Sequence, residues 1–122
     1  MPSGAHRTTP VLDGPSLARL REAFPDEKGL REILEEFLFS SSRLLQELTS
    51  AAEQQRTQVV ERAAHTLKSM ARLIGAPELA EACRAVEFRA HGASAPPVLP
   101  HMVTRVAEHT RQAQEAVGRL LR

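Results

Sequence analysis

Apolar residues recur every three or four positions along most of this sequence, and that spacing constrains the fold more than any other feature. From about Asp26 to Ala52 the pattern comprises Leu30, Ile33, Leu34, Phe37, Leu38, Leu44, Leu45 and Leu48. Residues at these spacings lie on one side of an amphipathic α-helix, which we predict here. Aromatic residues make up only 3% of the chain, with no Trp and no Tyr. This composition also favours helices, because strands prefer aromatic and β-branched side chains.

Proline and glycine residues mark the ends of the other predicted helices. A short first helix is expected between residues 13 and 25, with Pro15 at its first position and Phe24-Pro25 at its end. Gly75 stands where a left-handed C-terminal cap is needed, and GASAPP over residues 92–97 is a loop. The remaining helices are predicted to span about Thr57–Ile74, Pro77–His91 and Val98–Leu121. The inner stripe of the last helix is predicted to be Leu99, Met102, Val103, Val106, Thr110, Ala113, Val117 and Leu120.

Four long helices joined by short links predict an all-α fold: an antiparallel four-helix bundle with a short additional N-terminal helix. The 122 residues suffice for one such domain, which we place at residues 14–122. Residues 1–13 contain few large apolar side chains, so we predict a flexible N-terminal tail there.

Composition argues against several classes of function. A net charge of +1 and the scarcity of aromatic residues give no basis for binding nucleic acid. The single cysteine, Cys83, excludes an intrachain disulfide and a multi-cysteine metal site. The chain has no apolar run of about 18 residues that would span a membrane, and its N-terminus lacks the apolar core of a signal peptide. We therefore predict a cytoplasmic protein that binds neither nucleic acid nor membranes. We also expect a monomer, because a closed bundle leaves no obvious apolar seam.

The helix predicted over residues 57–74 has two chemically distinct sides. Each residue advances about 100° around the axis, which fixes the direction of every side chain. The side centred on His65 is wholly polar and comprises Gln58, Glu61, Arg62, His65, Lys68, Ser69 and Arg72. The opposite side is wholly apolar and comprises Val59, Val60, Ala63, Leu67, Met70, Ala71 and Ile74. A histidine at the centre of a solvated face is accessible to a partner, whereas one on the apolar side would be a core residue.

The surroundings of His65 suit phosphoryl chemistry. An unperturbed imidazole has a pKa of about 6.5, so much of it is neutral at physiological pH and has a lone pair for nucleophilic attack. Lys68 and Ser69 lie one turn further on, within side-chain reach. A lysine there would offset the charge of a phosphoryl group held by the imidazole. Arg62 and Arg72 extend the positive field, although an exposed histidine with basic neighbours is most often an ordinary solvated surface.

The sequence around His65 resembles the histidine phosphotransfer (HPt) domain family. His65-Thr66-Leu67-Lys68 is similar to the HTLKG core of that family, and Ala63-Ala64 before it is also typical. The similarity continues through Met70, Ala71, Leu73 and Ile74 to Gly75-Ala76, and on the next helix to Leu79, Cys83 and Glu87. By helix pattern it spans roughly residues 30 to 91. Ser69 stands where the family usually has glycine; because serine is also small, we expect docking to be retained.

This resemblance implies a function in a two-component phosphorelay. The protein would relay a phosphoryl group between receiver-domain aspartates, with His65 as the phosphorylated nucleophile and Lys68 stabilising the phosphate charge. Its partners would be response-regulator receiver domains and a sensor or hybrid histidine kinase. It would be a carrier rather than an enzyme, without an ATP or kinase site and without a cofactor of its own, and the Mg²⁺ would belong to the partner receiver. The predicted docking surface comprises Gln58, Glu61, Arg62, Ser69 and Arg72.

Two alternatives remain open: a pure protein-interaction bundle in which His65 is never phosphorylated, and the phosphorylated domain of a chemotaxis-type histidine kinase. A DNA-binding helical protein is less favoured, since the basic residues are not gathered on one recognition helix. We interpret Ser40 to Ser42 as small residues on a mostly solvated stretch and Cys83 as a core residue. Glu87 is expected to form a salt bridge or a helix contact rather than to act in catalysis. The other histidines are too scattered for a metal site.

Overall fold

Helices and connecting turns make up the whole of residues 10–122, the part of the chain that the computed structural model describes. The helices are α1 (Gly14–Ala23), α2 (Glu27–Glu53), α3 (Thr57–Ile74), α4 (Pro77–Arg89) and α5 (Pro100–Leu121). α3 packs between α2 and α4, and α5 packs against the same two helices from the opposite side. The four long helices thus form a closed bundle in which α3 and α5 are diagonally opposite. α1 packs against α3, so the predicted all-α bundle with a short extra helix is confirmed.

The core follows the apolar stripes that the sequence predicted. On α3 the buried residues are Val60, Ala63, Ala64, Leu67, Ala71 and Ile74. Val59 and Met70 are partly buried and pack against the same core. Full burial of a Leu or Ile side chain stabilises a fold by about 1.5–3 kcal/mol, so this side of α3 cannot rotate outwards without a large loss. The packing therefore fixes the polar side of α3 towards solvent.

The turn between α3 and α4 depends on Gly75. Its φ of 79° is left-handed, and the Ala76 N–H closes the helix end by donating to the Ala71 carbonyl at 2.8 Å. A Cβ on Gly75 would lie 2.6 Å from the Cβ of Ser16 in α1. Glycine is thus required here both for the turn, as predicted, and for the close approach of α1.

The segment before α1 is in contact with the bundle. Leu12 is buried, and the Asp13 N–H donates to the Gly75 carbonyl at 2.6 Å. Of the tail predicted over residues 1–13, residues 1–9 lie outside the described part of the chain. At Leu12 and Asp13 the structure shows packed residues instead, so the ordered domain begins before residue 14.

Two helix ends differ from prediction by about two residues. α5 begins at Pro100 rather than Val98, because Leu99 is extended (φ −78°, ψ 144°), as a residue before proline prefers, while proline itself suits the first helical turn. α4 ends at Arg89 rather than His91. The stripe of α5 is also shorter than predicted, since Leu99 and Leu120 at its two ends are exposed, whereas Ala116 is buried.

The interpretation of the three serines in α2 was wrong for two of them. Ser40 and Ser41 are buried, and only Ser42 is exposed. The Nε2 of Gln114 in α5 donates to both the Ser41 and the Ser42 hydroxyl oxygens at 2.9 Å. Ser41 and Ser42 therefore belong to the α2–α5 contact, whereas the buried hydroxyl of Ser40 donates to the Glu36 carboxylate within α2.

None of the helices formed by residues 10–122 is both long and apolar enough to cross a membrane.

Candidate functional site

His65 lies in the middle of α3 and projects away from the core. Its neighbours in sequence, Ala64 and Leu67, are fully buried, whereas 60% of the His65 side chain is exposed. The predicted position of His65 on a solvated face is therefore observed. A partner molecule can reach the ring without any rearrangement of the bundle.

Glu87 of α4 joins His65 to Lys68. Its Oε2 lies 2.7 Å from Nδ1 of His65, and its Oε1 lies 2.5 Å from Nζ of Lys68. Cys83 and Val86 of α4 are fully buried, and this burial turns Glu87 towards the edge of α3. The predicted salt bridge of Glu87 is thus observed, but its partners are the two residues singled out for phosphoryl chemistry.

The charge state of Glu87 determines which nitrogen of His65 is free. Burial acts to raise the pKa of Glu87, but hydrogen bonds from Lys68 and His65 outweigh it and hold the pKa below its ordinary value. An ionised carboxylate can only accept hydrogen bonds, so Nδ1 of His65 must carry the hydrogen and donate it. In the neutral ring the lone pair is then on Nε2.

Lys68 is less accessible than its position on the polar side suggests. Only 13% of its side chain is exposed, because the chain runs along the α3–α4 contact to reach Glu87. An ammonium group has three donors, and one is directed at Glu87. The remaining donors lie one helical turn from the imidazole.

The predicted docking residues do not behave alike. Gln58, Arg62 and Arg72 are exposed, as expected. Ser69 is also exposed, and its hydroxyl donates to the backbone carbonyl of His65 at 3.2 Å, so it adds little bulk beside the ring. Glu61 is only partly exposed, because it binds a residue just beyond the end of α4.

That partner is His91, which the sequence did not single out. Nδ1 of His91 lies 2.6 Å from Oε2 of Glu61, and this hydrogen bond raises the pKa of His91. The contact repeats the His65–Glu87 arrangement one turn along the same groove, but here the carboxylate is on α3 and the histidine lies just after α4. The spacings of four residues from Glu61 to His65 and from Glu87 to His91 were visible in the sequence. Only the packing of α3 on α4 showed that each histidine meets the carboxylate of the other segment.

Neither a metal site nor a reactive thiol accompanies this arrangement in the described part of the chain. No three histidine, cysteine or acidic side chains in residues 10–122 are grouped as metal ligands would be. Cys83 is fully buried, and burial raises the pKa of its thiol to about 12. The prediction that Cys83 is a core residue is confirmed.

Comparison with known proteins places the chain in a family. The family model of the Hpt domain matches residues 32–118, which is most of the chain. The chain belongs to the Hpt domain family. No curated protein matches it significantly. The match extends the resemblance predicted from residues 30 to 91 through α5, so the whole four-helix bundle is the Hpt domain.

A solved Hpt structure has the same fold. The crystal structure of histidine-containing phosphotransfer protein B (HptB) from Pseudomonas aeruginosa PAO1 superposes with a TM-score of 0.78, covering 93% of this chain and 96% of that one. The two sequences are 24% identical, so the likeness is one of fold. With its Hpt domain the protein is a histidine phosphotransfer protein of a phosphorelay, and proteins of this family are phosphocarriers rather than kinases. Membership of this family implies partners among phosphorelay kinases and receiver domains.

Proposed function

We propose that His65 carries the phosphoryl group, accepting it from the aspartyl phosphate of one receiver domain and passing it to the aspartate of another. The observation that carries this proposal is the contact of one carboxylate, Glu87, with both the imidazole of His65 and the ammonium of Lys68. Among residues 10–122, His65 combines an exposed ring, a fixed tautomer and a neighbouring lysine.

The transfer step is a displacement at phosphorus. The Nε2 lone pair of His65 attacks the phosphorus of the aspartyl phosphate, a P–N bond forms, and the P–O bond to the aspartate breaks, releasing a carboxylate. Because Nδ1 keeps its hydrogen, the phosphorylated ring gains a positive charge. The Glu87 carboxylate, 2.7 Å from Nδ1, stabilises that charge as it develops. The Mg²⁺ that assists the reaction belongs, in this proposal, to the receiver domain.

Lys68 offsets the negative charge of the phosphoryl group. Its remaining ammonium donors are one turn from His65, close enough to contact phosphoryl oxygens while Glu87 holds the side chain in place. Gln58, Glu61, Arg62, Ser69 and Arg72 form the surface over which a receiver docks. The small Ser69 lets the receiver backbone approach, which matters because reacting atoms must come within about 3–3.5 Å.

The decisive test is transfer from receiver domains of the source organism, each phosphorylated with acetyl phosphate and Mg²⁺ and then mixed with the full chain. Mass spectrometry at alkaline pH, where phosphohistidine survives, is expected to find the label on His65 alone. The His65→Gln variant is expected to fold like the wild type, because the side chain is outside the core, and to remain unlabelled. Label persisting in His65→Gln would contradict the proposal by showing that another residue accepts the phosphoryl group. Absence of label from the wild type with every receiver would contradict it in favour of an interaction bundle.

Four predictions from the sequence accompany this proposal. They are the cytoplasmic location, the monomeric state, the lack of an ATP site and the lack of a cofactor.

A further inference from the structure

The groove between α3 and α4 contains a second histidine–carboxylate pair, Glu61 and His91, which takes no part in the displacement at phosphorus. Glu61 of α3 precedes His65 by four residues, about 6 Å along the helix axis, and points towards the same neighbour, α4. It contacts His91, which lies just beyond the end of α4, at 2.6 Å. Because 79% of the His91 side chain is exposed, packing in the core does not explain its position beside Glu61.

Glu61 is unfavourably placed for a site that receives an anion. A phosphoryl group on His65 carries negative charge, and Glu61 is one turn away, within the screening length of about 8 Å at physiological ionic strength. The negative charge of Glu87, the other carboxylate near His65, is offset by Lys68. The contact with His91 offsets the negative charge of Glu61 in the same way.

We propose that His91 is a positioning residue of the phosphoryl-transfer site: by binding the Glu61 carboxylate it neutralises that charge and holds it against α4, away from the phosphoryl group on His65. This inference rests on the proposed function only in taking His65 as the phosphoryl acceptor. The raised pKa of His91 supports it, since the imidazole stays charged to a higher pH than a free histidine would.

Charge variants separate this role from a structural one. His91→Gln keeps a hydrogen-bonding side chain but removes the positive charge, and His91→Lys keeps the charge. The double variant Glu61→Gln/His91→Gln removes both charges of the pair. His101→Gln is the matched control, because His101 is an exposed histidine of α5, the helix diagonally opposite α3. Thermal unfolding followed by circular dichroism verifies that each variant is folded.

The probe is phosphoramidate, a small anionic donor that needs no docking surface. Its P–N bond breaks, its nitrogen leaves as ammonia, and a new P–N bond forms to Nε2 of His65. The rate is read as label on the His65 peptide over time, by mass spectrometry at alkaline pH. An uncompensated charge about one turn away is expected to slow labelling by about three- to tenfold in His91→Gln. His91→Lys and the double variant are expected to recover most of the lost rate, and His101→Gln to label like the wild type.

Either of two results would overturn the inference. One is a His91→Gln variant that labels at the wild-type rate. The other is a double variant that stays as slow as His91→Gln, which would show that the contact itself, rather than its charge balance, matters. Failure of the proposed function would look different. In that case phosphoramidate would still label His65 of the wild-type protein, but receivers would not transfer a phosphoryl group to it.

Discussion

Replacement of Glu87 by glutamine tests the central contact of the site. Glutamine keeps the size of the side chain and can still accept a hydrogen bond from Nδ1 of His65, but it has no charge. It therefore removes the stabilisation of the positive ring in the phosphorylated state and leaves the ammonium of Lys68 without its carboxylate. Lys68 is mostly buried, so little solvent is available to replace that partner.

The size of both effects follows from the two contacts. A charge-assisted hydrogen bond contributes about 1.5–3 kcal/mol when well formed, and the solvent exposure of His65 places its contact at the lower end. Because 1.36 kcal/mol corresponds to a factor of ten, transfer to His65 is expected to slow by about tenfold. The loss of the Lys68 partner is expected to lower the free energy of unfolding by about 1–2 kcal/mol at neutral pH.

The stability difference is expected to depend on pH in a direction that the pKa of Glu87 determines. Burial alone would raise that pKa, but hydrogen bonds from Lys68 and His65 lower it below 4.5, its ordinary value. A carboxyl group with a lowered pKa stabilises the fold above its unfolded-state pKa and loses that contribution as the pH falls through the folded-state pKa. Wild type and Glu87→Gln are therefore expected to differ at neutral pH and to converge in acid.

Urea unfolding at pH 7 and in acid measures the stability difference, and labelling of His65 by phosphoramidate measures the rate. Nitrogen-15 NMR of the imidazole reports whether Nδ1 still carries the hydrogen. Glu81→Gln is a suitable control, since Glu81 is on the same helix but forms its salt bridge with the exposed Arg84. Since the glutamine oxygen can still accept from Nδ1, the tautomer is expected to persist. Wild-type stability and a wild-type labelling rate in Glu87→Gln at pH 7 would refute the role assigned to the charge of Glu87.

Three further substitutions test other parts of the structure. Lys68→Ala is expected to keep the helical circular dichroism spectrum while slowing transfer from a receiver or shortening the lifetime of phosphohistidine, since a charge-assisted contact to phosphate contributes about 1.5–3 kcal/mol. An unchanged transfer rate together with an unchanged phosphohistidine lifetime would show that Lys68 has no role in holding the phosphoryl group. Ser69→Arg is expected to unfold at nearly the wild-type temperature but to transfer far more slowly, because the arginine side chain holds the receiver away from His65. Ser69→Gly is expected to keep docking and to lower the free energy of unfolding by about 0.5–1 kcal/mol. Wild-type transfer by the arginine variant would show that receivers do not dock over this surface. Gly75→Ala is expected to destabilise the fold by about 2–4 kcal/mol in urea unfolding, because the new Cβ clashes with Ser16 and the backbone there is left-handed. Gly92→Ala is expected to cost only about 1 kcal/mol, because Gly92 is also left-handed but has open space around it. Equal losses for the two variants would contradict the close packing of α1.

The sequence by itself determined the helices and the direction of His65. The apolar spacing in α3 leaves only one side that can be buried, and proline and glycine end the helices by backbone geometry that needs no tertiary contact. The match of Gly75-Ala76, Leu79, Cys83 and Glu87 to the family pattern added the function, because those residues stand at fixed distances from His65.

Only the tertiary structure decided which side chains meet between helices. Spacing along α2 could not show that Ser40 and Ser41 are buried, because small residues can lie in a helix contact or in solvent, and the packing of the neighbouring helices decides which. Nor could spacing along α3 show that Lys68 is mostly buried or that Glu61 binds His91, since both depend on the rotation and register of α4. The clearest case is Glu87, which lies 22 residues from His65 in sequence and within hydrogen-bond distance of it in the fold. The sequence placed the imidazole in solvent, and the packing of α4 on α3 supplied the carboxylate that fixes its tautomer.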